Sequence, residues 1–336
     1  MTVLLTAEQR AQPKTAPAGS PHVLYLAGIP RTGSTVLGQM LDRLPSAIFV
    51  GELSLFWRRF ANRELCSCGQ ALPDCRFWAS IISKGFGELK AEDAQNLGKL
   101  EWALRRRQAI RSLFTTNRPI AMPGHSQAIV DARVKLYCAI ASVAQAEWIV
   151  DSGKDPWLGE IFGRLFRANF YTVHIVRDPR GVAFSWMKLV KSDSEPGYMP
   201  RRHAVAVAVS WLIQNLIIQS ALRHLSASYV RLRYEDLATD PETVVRGVAQ
   251  SMGIAPDRLA WESRDECQPD LHWVAGNPGV RQSSRSSMKI KLDKEWQDRM
   301  PRVQRWLVTA ICGVLFPSYG YPFSCVRKTR PRSRRS

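Results

Sequence analysis

Short apolar runs alternate along the chain with longer stretches of helical pattern. Residues 23–27, 47–50, 148–150, 171–176 and 228–233 each have the length of a strand. Residues 34–44 predict a helix, with Val36, Leu37, Met40, Leu41 and Leu44 on one face and Pro45 as its stop. Pro156 and Pro179 each open a further helix soon after a strand. Residues 91–147 read as helices, 202–226 as one long helix and 296–316 as a closing amphipathic helix. The polar stretch 191–199, with Pro196 and Gly197, is a candidate lid.

Charge narrows the choice of partner. Lys and Arg number 47 against 29 Asp and Glu, a net +18, which calls for an anionic ligand. Part of the excess lies in residues 323–336, expected to be a disordered basic tail, and residues 1–21 read as a flexible leader. Nucleic acid is not the expected target; the remaining excess suits a highly anionic nucleotide. The seven cysteines form no even-numbered disulfide framework and no signal peptide is visible. No run of about 18 uninterrupted apolar residues marks a membrane span, and residues 204–222, interrupted by Ser210, Gln214 and Asn215, read as a buried helix. A cytoplasmic protein is expected.

The chemistry clusters where strands end. The first strand turns through Gly28, Pro30 and Gly33 into a helix opening with Ser34 and Thr35. Such glycines let backbone N–H groups converge on an anion, and the helix N-terminus adds partial positive charge. The spacing of Gly28 and Gly33 is that of the P-loop, but Ser34 stands where the P-loop lysine would reach the β/γ-phosphates. Arg31 supplies a cation from inside the loop instead. Glu52 follows the second strand, on the rim where open α/β sheets bind ligands, although a helix cap or surface role also suits it. Lys154 lies in a glycine turn after the third strand, where lysines are ordinarily exposed.

After the fourth strand, Arg177 and Ser185 combine forked guanidinium donors with a hydroxyl, a pairing suited to phosphate. Asp178 is expected to orient arginines rather than hold Mg²⁺. Tyr234 begins a Tyr-Glu-Asp-Leu segment after the fifth strand. Gly276, Arg281, Arg285 and Ser286 belong to a loop whose composition suits closure over phosphates. The arginines 105–107 read as a solvated helix face. Cys66, Cys68 and Cys75 lack the paired spacing and the well-placed histidine of a zinc site, so no metal is expected, and a reversible disulfide stays open. His272 reads as structural rather than as a second base.

The segment Pro30-Arg31-Thr32-Gly33-Ser34-Thr35 resembles, residue for residue, the 5′-phosphosulfate loop of sulfotransferases that use 3′-phosphoadenosine 5′-phosphosulfate (PAPS). The remaining motifs follow in the family's order across residues 22–316 and are most similar to the tyrosylprotein type. The resemblance implies that Glu52 is the general base, that Arg31 and Lys154 serve the transferring sulfonate, and that Arg177 and Ser185 grip the 3′-phosphate. It places Tyr234 near the adenine and gives closure over the nucleotide to the loop of Arg281, Arg285 and Ser286, with the choice among these three left open. Cysteine-bearing loops also occur in bacterial-type members. The implied fold is α/β, a P-loop-like three-layer domain over residues 22–322, its mostly parallel sheet flanked by helices, with a helical cap at 54–147. The implied reaction is in-line, metal-independent sulfuryl transfer to a hydroxyl or amine acceptor, which could be a sugar, lipid, peptide tyrosine or small alcohol. Two other classes compete: a P-loop kinase of a small molecule, against which the missing lysine argues, and a non-catalytic nucleotide- or polyanion-binding protein, which needs no base.

Overall fold

The computed structural model describes residues 19–112, 124–189, 200–254, 272–275 and 292–323. The leader up to residue 18, the candidate lid 191–199, the loop containing Arg281, Arg285 and Ser286, and the tail from residue 324 lie outside them.

The apolar runs form β1 (His22–Ala27), β2 (Ala47–Gly51), β3 (Trp148–Lys154), β4 (Phe170–Val176) and β5 (Ser228–Arg233). They make one five-stranded sheet in the order β2-β3-β1-β4-β5, parallel at every pairing. Helices cover both faces, as a parallel sheet requires. Successive side chains of β1 point to opposite layers. Val23 and Tyr25 join a core with α6 (Pro156–Phe166) and the cap, whereas Leu24 and Leu26 pack with α1 (Ser34–Leu41) and α11 (Pro241–Ser251). A third core joins α7 (Pro179–Met187) to Trp211, Trp296 and Phe316.

The cap comprises α2 (Phe56–Ala61), α3 (Arg76–Phe86), α4 (Ala91–Ser112) and α5 (Gly124–Ala144). The long helix runs as α8 (Ala204–Ile217), a π turn (Ile218–Leu222) and α9 (Arg223–Leu225), before α10 (Tyr234–Thr239) follows β5. Among the described residues, the stretch Ala204–Leu225 is the one helix long and apolar enough to cross a membrane. The expectation of a buried helix holds for one face only: Trp211, Asn215 and Leu222 are buried, while Val205, Val209, Ile213 and Leu216 are exposed.

Three boundaries differ from the sequence reading. β3 does not stop before Gly153 but continues to Lys154, with a register shift against β1. Gly153 permits this, because a Cβ there would come within 2.8 Å of the Tyr25 hydroxyl. The first helix ends at Leu41, three residues before the expected Leu44. The closing helix is broken at Pro301, which separates Trp296–Arg299 from Arg302–Cys312, because proline cannot supply the N–H that a continuous helix needs.

Candidate active site

All five strands end on one rim, and each delivers a residue singled out in the sequence. In the order of the sheet these are Glu52 after β2, Lys154 at the end of β3, the 28–35 loop after β1, Arg177 after β4 and Tyr234 after β5.

The central loop turns on two left-handed residues, Arg31 (φ 78°) and Gly33 (φ 86°). A Cβ on Gly33 would lie 2.8 Å from the Tyr234 ring, so the loop and the first residue of α10 fit only through glycine. The Thr32 hydroxyl donates to the Ile29 carbonyl at 2.8 Å, and Ser34 and Thr35 are buried in the first turn of α1. The Arg31 guanidinium stands 5.5 Å over the Trp186 ring. Burial pushes its pKa down; Glu52 works against that shift, and the neighbouring Arg177 adds to it.

On the β2 side, Lys154 Nζ donates to Glu52 Oε1 at 2.5 Å. Lys154 is only 8% exposed and is itself left-handed (φ 61°), so the lysine is built into the rim rather than solvated, contrary to the ordinary behaviour of a turn lysine. The Glu52 amide donates to the Val274 carbonyl at 2.7 Å, and the Val274 amide to the Val50 carbonyl at 2.9 Å. Leu53 is gripped next: both Nη atoms of Arg133 donate to its carbonyl at 3.1 Å, and its amide donates to Asp151 Oδ1 at 3.3 Å. Arg133 also pairs with Glu101, and Tyr137 donates its hydroxyl to Asp151. Burial raises the pKa of Asp151, of Tyr137 and of Glu101. A buried polar network thus fixes the backbone on both sides of the carboxylate.

On the β4 side, Arg177 donates to the Arg31 carbonyl (2.9 Å) and to Asp293 Oδ2 (3.1 Å), and lies 4.4 Å over the Tyr234 ring. Burial raises the Asp293 carboxyl, but the Glu295 amide, Arg177 and Lys188 outweigh it and the net direction is down. Ser185 lies half-buried on α7, eight residues past Arg177. Asp178 caps α7 and accepts from the Arg180 amide, Nε and Nη2 at 2.9, 2.9 and 2.7 Å. Its carboxylate orients an arginine, as expected, and is filled by that duty.

A cavity of about 1090 Å³ opens beside the Glu52–Lys154 pair, under the cap, lined by Trp57, Trp102, Arg105 and Arg202 among others. The arginines 105–107 do not all lie on the expected solvated face. Arg105 is not merely solvated: it pairs with Asp155 and stacks 5.1 Å over Trp157, because α4 passes across the start of α6. A second cavity of about 1030 Å³, between the end of β5 and residues 292–302, contains neither Glu52 nor Lys154.

Sequence reasoning missed Arg133, Asp151, Val274 and Asp293. Arg133, Val274 and Asp293 reach the site from remote segments, whereas Asp151 lies on β3 itself, where a single acid inside a strand carries no local sign of its partners. Arg281 and Ser286 lie outside the described residues.

The profile of the sulfotransferase family matches residues 24–258, more than half of the chain and every strand of the rim. The chain belongs to the sulfotransferase family. This sulfotransferase is 23% identical over 361 residues to carbohydrate sulfotransferase 5 of Mus musculus, a match covering 92% of this chain and 84% of the relative. Among solved structures, the sulfotransferase domain of the Synechococcus PCC 7002 olefin synthase is similar in fold, with a TM-score of 0.50 and 21% identity over 94% of this chain and all of that one. The sulfotransferase domain from the curacin biosynthetic pathway is similar at TM-score 0.46 and 19% identity, covering 90% and 99% of the two chains.

Proposed function

We propose that this sulfotransferase moves the sulfuryl group of PAPS to a hydroxyl, or an amine, of an acceptor held in the cavity under the cap. The observation that carries the reading is the order along the rim, with Glu52 and Lys154 beside the cavity, the loop at the centre, and Arg177 and Tyr234 beyond it. In that order Tyr234 and Arg177 serve the adenine and 3′-phosphate, and the loop amides of Gly33 to Thr35 serve the 5′-phosphosulfate. Glu52 takes the proton of the acceptor group as its oxygen or nitrogen bonds to sulfur. The bond from sulfur to the bridging phosphate oxygen breaks in line, and Arg31 and Lys154 stabilise the charge gathering on the sulfonate and the departing phosphate.

A sugar hydroxyl is the acceptor we favour. The mouse relative is by name a carbohydrate sulfotransferase, and the exposed Trp102 lines the cavity beside the donors of Arg105. The kinase reading is disfavoured because Asp178, the acid it would need for Mg²⁺, is occupied by Arg180.

Turnover of labelled PAPS with a panel of saccharide acceptors tests the proposal. Glu52→Gln is expected to lower kcat by roughly 10²–10⁴-fold and Lys154→Ala by about 10²–10³-fold, with nucleotide affinity nearly unchanged in the Glu52 variant. Near wild-type turnover in Glu52→Gln removes that residue from the base role.

A further inference from the structure

Cys66, Cys68, Cys75 and His272 take no part in the rim described above, yet they converge. Their ligating atoms all lie within 4.8 Å of one another. The Cys68 and Cys75 sulfurs are 3.7 Å apart, and His272 Nδ1 is 3.2 Å from Cys75 Sγ and 3.8 Å from Cys66 Sγ. A tetrahedral Zn²⁺ with ordinary Zn–S and Zn–N bond lengths sets its sulfurs about 3.8 Å apart and its sulfur-to-nitrogen edges about 3.6 Å. A disulfide needs roughly 2 Å, and all three thiols are free. The missing histidine of the sequence reading is present after all; it arrives from 206 residues beyond Cys66, where no local spacing could reveal it.

We infer that these four side chains form a structural Zn²⁺ site that staples the 65–75 loop to the segment carrying His272. Three thiolates and an imidazole make a soft, closed, four-ligand set that suits Zn²⁺ above harder cations. The backbone already holds the ligands in register. The Cys66 amide donates to the Gln70 carbonyl at 2.8 Å, the Gly69 amide to the Cys66 carbonyl at 3.0 Å, and Leu65 bridges Ala71. His272 stacks on Phe77 with ring centroids 5.1 Å apart and planes 10° from parallel, which aims Nδ1 at the sulfurs. Cys66 and Cys75 are buried while Cys68 is exposed, so the ion has both a dry seat and a way in.

The staple has a consequence for the active site. Next to His272, Trp273 and Ser67 exchange two hydrogen bonds, the Trp273 amide to Ser67 Oγ at 2.8 Å and the Ser67 amide to the Trp273 carbonyl at 3.2 Å. Val274 then pairs in parallel with Gly51 and accepts the Glu52 amide. The metal therefore anchors the strap on which Glu52 rests, two residues from the ion's own ligand. Its role is positioning, and the site stands whether or not the reading of the reaction does.

Metal analysis of the full-length protein, purified without chelator and desalted, tests the inference. About one zinc per chain is expected, falling at least tenfold in Cys75→Ser and His272→Ala and unchanged in Cys138→Ser. Because a ligand variant could fail to fold, the wild type is tested as well. Mercurial titration with a colorimetric zinc indicator should release the ion in step with thiol modification, and Co²⁺ exchange should give the visible bands of tetrahedral thiolate coordination. Release should also lower the Tm. Zinc absent from the wild type, a disulfide among the three cysteines in the mass map, or zinc retained in folded Cys75→Ser and His272→Ala would each overturn the site.

Discussion

Glu52 and Lys154 meet because each stands where a strand gives out, and neighbouring strands of a parallel sheet give out side by side. Such residues were legible in the sequence, since a charged residue directly after an apolar run marks the rim. A less visible residue tests the interior. His174 on β4 is fully buried, with Nε2 3 Å or less from Asn215 Oδ1 (2.7 Å) and Nδ1 at 2.6 Å from the Tyr229 hydroxyl. Asn215 spends its amide on the Trp211 carbonyl, so its oxygen faces His174; Nε2–H donates there and Nδ1 accepts from Tyr229. Burial lowers the His174 pKa to about 4. The unfolded chain, with an ordinary histidine pKa near 6.5, therefore takes the proton first as pH falls. Stability from this group is complete above about pH 6.5 and is lost progressively toward pH 4, by about 3 kcal/mol in total. Urea unfolding at pH 7.5 and 4.5 should show that loss in the wild type and a smaller one in His174→Gln; parallel losses would remove His174 as the cause.

At the scale of elements, the sequence carried the strands and the proline-led helices, because apolar runs and N-terminal prolines are local signals. It did not carry what depends on a distant neighbour. Gly153 is required within β3 because Tyr25 packs against it, and Arg105 is drawn partly out of solvent because α6 presents Asp155 and Trp157. The strap at Val274 is the clearest case. Gly51 is left-handed (φ 78°), and a Cβ there would sit 2.2 Å from the Val274 carbonyl oxygen, a backbone atom with no rotamer to escape into. Gly51→Ala should then cost at least about 2 kcal/mol, from left-handed strain and from lost strap pairing. It should also lower kcat more than nucleotide affinity, since the strap supports Glu52 and not the loop. Unfolding curves and turnover on the same preparation check this; an unchanged kcat would detach the strap from catalysis.

For the whole molecule, the sheet order converts five separate sequence motifs into one linear arrangement, and no single motif contains that information. The net charge of +18 pointed to an anion, and the rim concentrates Arg31, Lys154 and Arg177 around one glycine turn. Arg177 already spans the arrangement, donating to the loop at Arg31, stacking on Tyr234 and pairing with Asp293. The most direct measurement is calorimetric titration of the protein with adenosine 3′,5′-bisphosphate and with ATP–Mg²⁺, in the wild type and in Arg177→Ala. The account predicts preferential binding of the bisphosphate, weakened at least about tenfold in the variant through the loss of a charge-assisted contact. Preference for ATP–Mg²⁺, or bisphosphate binding indifferent to Arg177, would contradict it.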